Sequence, residues 1–185
     1  MNDTMTLGEA RSRYYEVNGF GPDGGDSLDW VPLQLWKLTI KIPNTDSRRR
    51  AVRIHDLHHI VTGYQTDLRG EAEIAAWELA SGCLRWPAAT ILNLFALGLG
   101  ILIAPRRLAR AWARGRATTN LYTAETVDPL LPRHVAEVRA ELGLAGPHPT
   151  VRVRDAVAMS LVALPPLLVL LAVVAAPLAA IAALV

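Results

Sequence analysis

The alternation of hydrophobic and polar residues is clearest just before residue 43 and predicts a β-strand there. Its two faces are Trp36, Leu38, Ile40 and Ile42 on the apolar side, and Lys37, Thr39 and Lys41 on the polar side. A period of two is typical of a strand with one buried face. The segment 43–46 predicts a turn, and 51–54 predicts the partner strand. A small β-hairpin is therefore expected ahead of the helical part of the chain.

Two short helices are predicted directly after this hairpin. The first covers 54–62 and stops at Gly63, because glycine is common just past a helix C-terminus. Asp67 is of the residue type that caps a helix start, and the second helix continues from it to Gly82. The short connection predicts an antiparallel helix pair.

Two uncharged segments follow, and they differ in length. Residues 87–104 would form a helix of roughly 27 Å, which is the lower limit for crossing a bilayer. Residues 156–185 carry no charge, and 167–185 alone would form roughly 28 Å of helix. We expect 156–185 to be a membrane anchor. Whether 87–104 also spans stays open; the interpretation in which only the anchor spans places the rest of the chain at the cytoplasmic face.

A basic helix after the first apolar segment is predicted to lie on an anionic membrane surface. Its residues at this surface are Arg106, Arg107, Arg110, Trp112 and Arg114. Cationic side chains with a tryptophan on the apolar side suit such a surface. A solvated charged face is the alternative interpretation.

Composition is compatible with this organisation. The chain has 185 residues, 51% of them hydrophobic, and a mean hydropathy of +0.23, which excludes a disordered chain. The net charge is only +2, and we expect no nucleic-acid partner. The single cysteine, Cys83, excludes an intramolecular disulfide and a cysteine-rich metal site. The stretch 1–13 lacks the apolar core of a classical signal peptide.

The predicted fold class is mainly α, a helical bundle with a small N-terminal β-hairpin and a C-terminal transmembrane helix. Residues 1–30 are expected to be loosely ordered apart from a short helix that the capping-box spacing of Thr6 and Glu9 predicts up to Glu16. Residues 31–145 are expected to form a helical metal-binding domain entered by the hairpin. Residues 146–155 are interpreted as a linker, and 156–185 as the anchor.

The chemistry of this sequence centres on His55, Asp56, His59 and Glu71. His55 and His59 are four residues apart, so a helix places both on one face with Asp56 beside them. Glu71 on the next helix can close a mixed nitrogen and oxygen site for a divalent metal. His58 lies about 100° around the helix from His59, so three interpretations stay open: it holds a ligand from outside, it faces a substrate, or it has no role. Glu78 lies two turns beyond Glu71 and is expected to support the site.

Two other chemistries share part of this pattern. His55-Asp56-x-x-His59 has the spacing of the metallopeptidase helix, in which a glutamate is the general base. Asp56 is one methylene shorter, so this alternative is disfavoured. Phosphohydrolases with a His-Asp pair need further ligands, and only His134 and His148 remain as histidines.

Several segments around these ligands carry a resemblance to a known family. They are Leu57–Gly63, Gly70-Glu71, the apolar stretch after Gly82, Gly115-Arg116, Asn120–Tyr122 and Val138–Gly143. Together with the ligand spacing, these segments are similar to the Coq-four family of ubiquinone (coenzyme Q) biosynthesis proteins. The resemblance covers about residues 50–145, whereas the N-terminal part and the apolar tail depart from it.

The resemblance implies a helical, membrane-associated protein with a divalent metal, usually taken to be zinc. It further implies a polyprenylated quinone precursor as ligand, other quinone-biosynthesis proteins as partners, and oxidative decarboxylation at ring carbon C1.

Two hypotheses for the function remain. The first is an enzyme in which the metal polarises the head group of an isoprenoid-type lipid. The second is a non-catalytic lipid-binding or scaffold protein in which the metal only joins two helices.

Overall fold

Helices dominate the computed structural model, which describes residues 4–35 and 38–182. These residues form seven α-helices, one antiparallel β-hairpin and two 3-10 turns at Leu121–Thr123 and Asp128–Leu130. The helices and strands are α1 Leu7–Asn18, β1 Trp30–Leu35, β2 Leu38–Pro43, α2 Asp46–Thr62, α3 Leu68–Ser81, α4 Pro87–Ile103, α5 Pro105–Ala117, α6 Val135–Glu141 and α7 Val153–Ala182. The predicted mainly helical fold with a small hairpin and a long apolar helix after it is confirmed.

The hairpin lies one strand earlier in the chain than predicted. Strand β2 matches the predicted strand, but its partner is β1, with Leu35 opposite Leu38. Residues 51–54 are helical instead, because Thr45 caps α2 by accepting a hydrogen bond from the Arg48 backbone N–H at 3.3 Å. The predicted strand positions 36 and 37 lie outside the described residues.

The segment 1–30, expected to be loosely ordered, contains the packed helix α1. The helix begins with a capping box, in which the Glu9 N–H donates to Thr6 Oγ1 and the Thr6 N–H donates to Glu9 Oε2. Leu7 and Tyr15 are buried against the helical core. The helix is held in place because these two side chains pack on the helical core, so this part of the segment is a formed element.

Helix α3 is the centre of the helical body, and α4 and α5 approach it closely. Ile74 and Trp77 are fully buried on it. A Cβ on Gly100 of α4 would overlap Ala72, and one on Gly115 of α5 would overlap the Trp77 carbonyl oxygen. These glycines let the helix backbones come together.

The first half of α7 belongs to this body as well. Met159, Ala163 and Leu167 recur on one buried face of the helix. A Cβ on Gly98 of α4 would lie 2.9 Å from the Leu167 backbone nitrogen. The predicted anchor at 156–185 therefore begins as a helix packed on α4, and its first turn starts at Val153.

The described residues include one helix that is long and apolar enough to cross a membrane by length and composition. It covers Val153–Val173, and only 17% of its most apolar stretch is buried within the protein. Helix α4 is apolar but shorter, and its inner face, with Asn93 and Leu97, is buried. The outer faces of α4 and α7 expose large apolar side chains such as Ile91, Phe95 and Leu161.

The predicted basic surface on α5 needs a correction. Trp112 and Arg114 are each only 6% exposed, so neither lies at the surface. They are buried because α5 turns this side towards α3 and the end of α2. Arg107 pairs with Glu73 at 2.5 Å, whereas Arg106 and Arg110 are exposed. A membrane role for these two exposed arginines stays a prediction.

Candidate metal centre

Three of the four predicted ligands come together between α2 and α3. His55 Nε2 lies 3.4 Å from Glu71 Oε2, and His59 Nε2 lies 3.3 Å from Glu71 Oε1. The two Nε2 atoms are 3.1 Å apart. One ligand atom from each residue lies within 4.8 Å of the others, so the group can hold a metal ion. Its identity as zinc belongs to the proposal below.

Local sequence signals bring Glu71 to the histidines. Gly63 ends α2 with a φ of 80°, a conformation that residues with a Cβ rarely adopt. Asp67 then caps α3 by accepting a hydrogen bond from the Gly70 N–H at 2.7 Å. Gly70 is needed at this position because a Cβ there would overlap the Gln65 carbonyl group. The tight connection brings the first turn of α3 against the face of α2 that carries His55 and His59.

Both candidate histidines are oriented for ligation through Nε2. His55 Nδ1 lies 2.9 Å from Glu78 Oε1, and His59 Nδ1 lies 3.0 Å from the Tyr64 carbonyl oxygen. An ionised carboxylate and a carbonyl group can only accept, so each Nδ1 carries the proton. Each Nε2 is then the nitrogen that faces the centre, and its lone pair can bind a metal once any proton on it has left. Outer partners that orient metal-binding histidines in this way are typical of metal sites.

Glu78 is the hub of a buried polar network behind the ligands. Its side chain is fully buried, and its Oε1 accepts hydrogen bonds from both His55 and His58. Its Oε2 accepts from Asn93 Nδ2 at 2.5 Å and from the Tyr122 hydroxyl at 2.8 Å. The sequence-based expectation that Glu78 supports the site agrees with this geometry.

His58 points away from the ligand atoms. Its Nδ1 donates to Glu78 Oε1 at 2.6 Å, and its Nε2 accepts from the Leu121 N–H at 2.9 Å. With one nitrogen donating and the other accepting, His58 is a neutral imidazole. Burial lowers its pKa, against the opposing effect of Glu78. His58 therefore stabilises the arrangement and does not face a substrate.

Asp56, the fourth predicted ligand, does not join the group. Its Oδ2 accepts a hydrogen bond from the Tyr15 hydroxyl of α1 at 3.0 Å. Asp56 follows His55 by one residue, which turns its side chain about 100° around α2 and towards α1. This position also removes the geometric basis for Asp56 as a peptidase-type general base.

The side chains of the three candidate ligands differ in accessibility. The side chain of His59 is 1% exposed, that of His55 is 20% exposed, and that of Glu71 is 39% exposed. The centre is therefore enclosed by α2 and open on the side of Glu71. This opening is where an external molecule can reach the ligand atoms.

The pKa values of the titratable side chains at the centre are shifted by their neighbours. Burial opposes the positive charge of His55, but Glu78 and Glu71 outweigh this effect and raise the His55 pKa well above its usual value. Burial likewise opposes ionisation of Glu71, yet hydrogen bonds to His55 and His59 lower its pKa to about 2. The pKa of Glu78 is also lowered, because His55 and His58 outweigh its burial. The Glu71 carboxylate is thus ionised at neutral pH.

The donor set fits a divalent transition metal. Two imidazole nitrogens with one carboxylate are found in catalytic zinc sites, which keep a position open for water or substrate. The same set in a facial arrangement is found in non-haem iron(II) oxygenases. Structural zinc sites are instead closed, four-ligand spheres that are usually rich in cysteine. The described residues offer three candidate ligands, and the exposed side of Glu71 leaves room for a further ligand from water or another molecule.

Two arginines secure the end of α2 that carries His59. Arg114 donates to the Thr62 carbonyl oxygen at 3.0 Å, and Arg139 donates to the Val61 carbonyl oxygen at 2.7 Å. Cations at a helix C-terminus are favourable because they complement the helix dipole. The Arg114 guanidinium also lies 5.4 Å from the ring centroid of Tyr64. Arg114 thus stabilises the backbone that orients His59.

Sequence reasoning missed the residues that reach the centre from other helices. Tyr14 of α1 stacks on the His59 ring with centroids 5.7 Å apart, and Asn93 of α4 contacts Glu78. Asn93 did carry a signal, since it is a polar residue inside an apolar segment and such residues need a buried partner. Tyr14 carried no comparable signal.

Comparison of this chain with protein-family models, with curated proteins and with solved structures finds no match.

Proposed function

We propose that this chain is a membrane-associated metal-binding protein of ubiquinone biosynthesis that binds a polyprenylated quinone precursor and acts at its head group. One observation carries the proposal: His55, His59 and Glu71 come together in a group that could hold a metal. Hydrogen bonds from Nδ1 orient the rings of both histidines. The spacing of these three residues is also the core of the resemblance to the Coq-four family. Zinc is the metal that the resemblance favours.

The reaction class we propose is oxidative decarboxylation at ring carbon C1. The bond from the ring to the carboxyl carbon breaks, the carboxyl group leaves as carbon dioxide, and a hydroxyl group forms at C1. This is a two-electron oxidation, and dioxygen is the proposed source of the oxygen atom. A dihydronicotinamide or dihydroflavin is the proposed reductant, which supplies two electrons that, with two protons, convert the second atom to water. When bound, a divalent metal supplies a Lewis acid that polarises a carboxylate or phenolic oxygen.

The protein side chains supply orientation and shielding. Glu78 and the Tyr64 carbonyl group fix the rings of His55 and His59. His59 is shielded by Tyr14, whereas Glu71 leaves the centre open on one side for the head group. These features support a site that holds a polar head group while the surroundings exclude much of the solvent.

The apolar outer surface supports a membrane-dissolved ligand. Ile91 and Phe95 of α4 and Leu161 and Leu168 of α7 are all exposed. Contiguous exposed apolar side chains are typical of membrane or partner contacts. Asn93 belongs to the same helix α4 and contacts Glu78, so one helix joins the apolar surface to the network behind the metal centre. We propose that the centre works at the cytoplasmic face.

A second candidate function is a non-catalytic lipid-binding or scaffold role. The ligands come from two helices, α2 and α3, so a bound metal would also cross-link them. In this case the metal contributes to folding and not to chemistry.

Replacing Glu71 with Ala separates the two functions. In a quinone-producing host, we would measure metal content, thermal unfolding and polyprenyl lipid products of the wild type and E71A. Loss of metal with a folded protein and altered lipid products supports the enzyme. Loss of metal with unfolding supports the scaffold. A wild type that holds no metal contradicts both.

Glu73 provides a matched control on the same helix. Its carboxylate pairs with Arg107 and not with the histidines. We expect E73A to retain metal and lipid products, because Glu73 contacts neither histidine and Arg107, whose side chain is 41% exposed, can be solvated when its partner is removed. Elemental analysis of the same samples distinguishes zinc from iron.

A further inference from the structure

A cleft of about 570 Å³ lies between α1 and the connection from α2 to α3. This volume is within the range of small-molecule sites, roughly 300–1,000 Å³. His59 forms part of its wall, but His55 and Glu71 do not line it. The cleft is thus a neighbour of the metal centre with a lining of its own.

Tertiary hydrogen bonds hold the cleft open. The Thr66 hydroxyl donates to Asn18 Oδ1 at 2.6 Å, which ties the end of α1 to the connection after α2. At the other end of α1, the Leu7 N–H donates to the Arg133 carbonyl oxygen at 2.8 Å. Tyr15 joins the middle of the helix to Asp56. Helix α1 is therefore a fixed wall, so the cleft is preformed.

The charge of the lining favours an anion. Apart from His59, Arg13 is the charged residue of the described lining, which contains no carboxylate. Arg13 is exposed and forms no ion pair within the part of the chain that the structure describes. A guanidinium in this state is suited to a bidentate hydrogen bond with a carboxylate.

The remaining lining favours a planar apolar body. Tyr14 and Tyr64 line the cleft together with Val17 and Ile60. The Tyr14 ring is held by stacking on His59 and by an edge contact with Phe20, with centroids 5.7 Å apart in both cases. Aromatic rings held in one orientation bind flat ligands with little loss of side-chain entropy.

We propose that this cleft binds a small aromatic carboxylate, whose acidic group pairs with Arg13 and whose ring packs against Tyr14 and Ile60. The proposal rests on the cleft alone and does not require a metal. The cleft is thus a second ligand site beside the candidate metal centre, and His59 forms part of its wall.

Naphthalene-2-carboxylate and its neutral amide, naphthalene-2-carboxamide, form a matched pair of probes. Binding is measured by calorimetry on the full chain in detergent micelles, with a chelator present. We expect the carboxylate to bind about 10-fold more tightly than the amide, as for one charge-assisted hydrogen bond. Arg13→Gln should remove this difference, and Val17→Trp should block both probes.

Arg116→Gln is the control, because Arg116 is exposed on α5 and does not line the cleft. Arg13 and Val17 are themselves exposed, so the thermal unfolding of their variants should match that of the wild type. Equal binding of the two probes, or binding that is insensitive to both cleft variants, overturns the proposal. Measuring E71A in parallel keeps the two proposals apart: carboxylate binding that survives in E71A supports the cleft even if the metal centre fails its own test.

Discussion

Glu71 and Glu78 lie two turns apart on α3, and their surroundings differ sharply. Glu78 is fully buried, and its two oxygens accept four hydrogen bonds, from His55, His58, Asn93 and Tyr122. Glu71 is partly exposed, and within the described part of the chain its oxygens face the Nε2 atoms of His55 and His59. A carboxylate whose lone pairs all accept hydrogen bonds cannot also bind a cation, whereas a carboxylate with free lone pairs can. The same residue type therefore serves as a scaffold in one place and as a candidate ligand in the other.

The largest effect is expected from Glu78→Ala. The substitution leaves two imidazole N–H groups, an amide and a hydroxyl group buried without their acceptor. Removing one partner of a buried charged network costs about 3–5 kcal/mol of unfolding free energy. Urea unfolding in the presence of a chelator measures it. If E78A were no less stable than E71A, the contrast between the two carboxylates would be wrong.

Glu78→Gln tests the positioning role at constant volume. The amide keeps the side-chain shape but cannot accept from both histidines with equal strength, so His55 loses its fixed orientation. Loss of such an outer partner typically lowers metal affinity by about 10- to 100-fold. Competition with a chromophoric chelator measures the affinity. Glu73→Gln on the same helix should leave it unchanged, because Glu73 contacts Arg107.

Asn93→Leu addresses the link between the apolar helix α4 and the network. The substitution removes one donor to Glu78, so the carboxylate is left with one fewer partner in a buried position. We expect a loss of about 1–3 kcal/mol of unfolding free energy. Thermal unfolding of N93L beside Ile91→Leu, an exposed position on the same helix, measures it. Equal stability of the two variants would show that Asn93 does not support Glu78.

The smallest effect concerns pH in the metal-free protein. The pKa of Glu71 is lowered from 4.5 to about 2, so its stabilising contribution is present above pH 4.5 and is lost as the pH falls towards 2. The pKa of His55 is raised above 6.5, so its contribution is present below pH 6.5 and is lost as the pH rises through the raised value. The stability difference between the wild type and Glu71→Gln should thus be greatest between pH 4.5 and 6.5.

Urea titrations across this pH range, with a chelator present, check that expectation. A difference that stays constant from pH 3 to pH 9 would mean that Glu71 does not pair with the histidines in the metal-free state. The result also bears on metal binding, since a proton on His55 must leave before a metal binds.

Much of the candidate centre was predictable because its signals are local. The interval from His55 to His59 needs only the helical period, and Gly63, Asp67 and Gly82 mark helix ends by their own conformational preferences. The hairpin partner was mispredicted because Thr45 begins a helix earlier than the apolar pattern indicates. The Thr45 hydroxyl caps a helix that includes residues 51–54, although the short apolar run there had suggested a strand.

Local patterns were enough to predict the helical character, the helix ends around the centre, and the common face of His55 and His59. Tertiary packing sets three other features: Asp56 bonds to Tyr15, Trp112 and Arg114 are buried, and α1 lies over His59. Helical period and capping depend on neighbouring residues, so they can be recognised along the chain. Which helix covers a given face depends on how glycine-lined surfaces such as those of α4 and α5 fit together, and no local pattern encodes that fit.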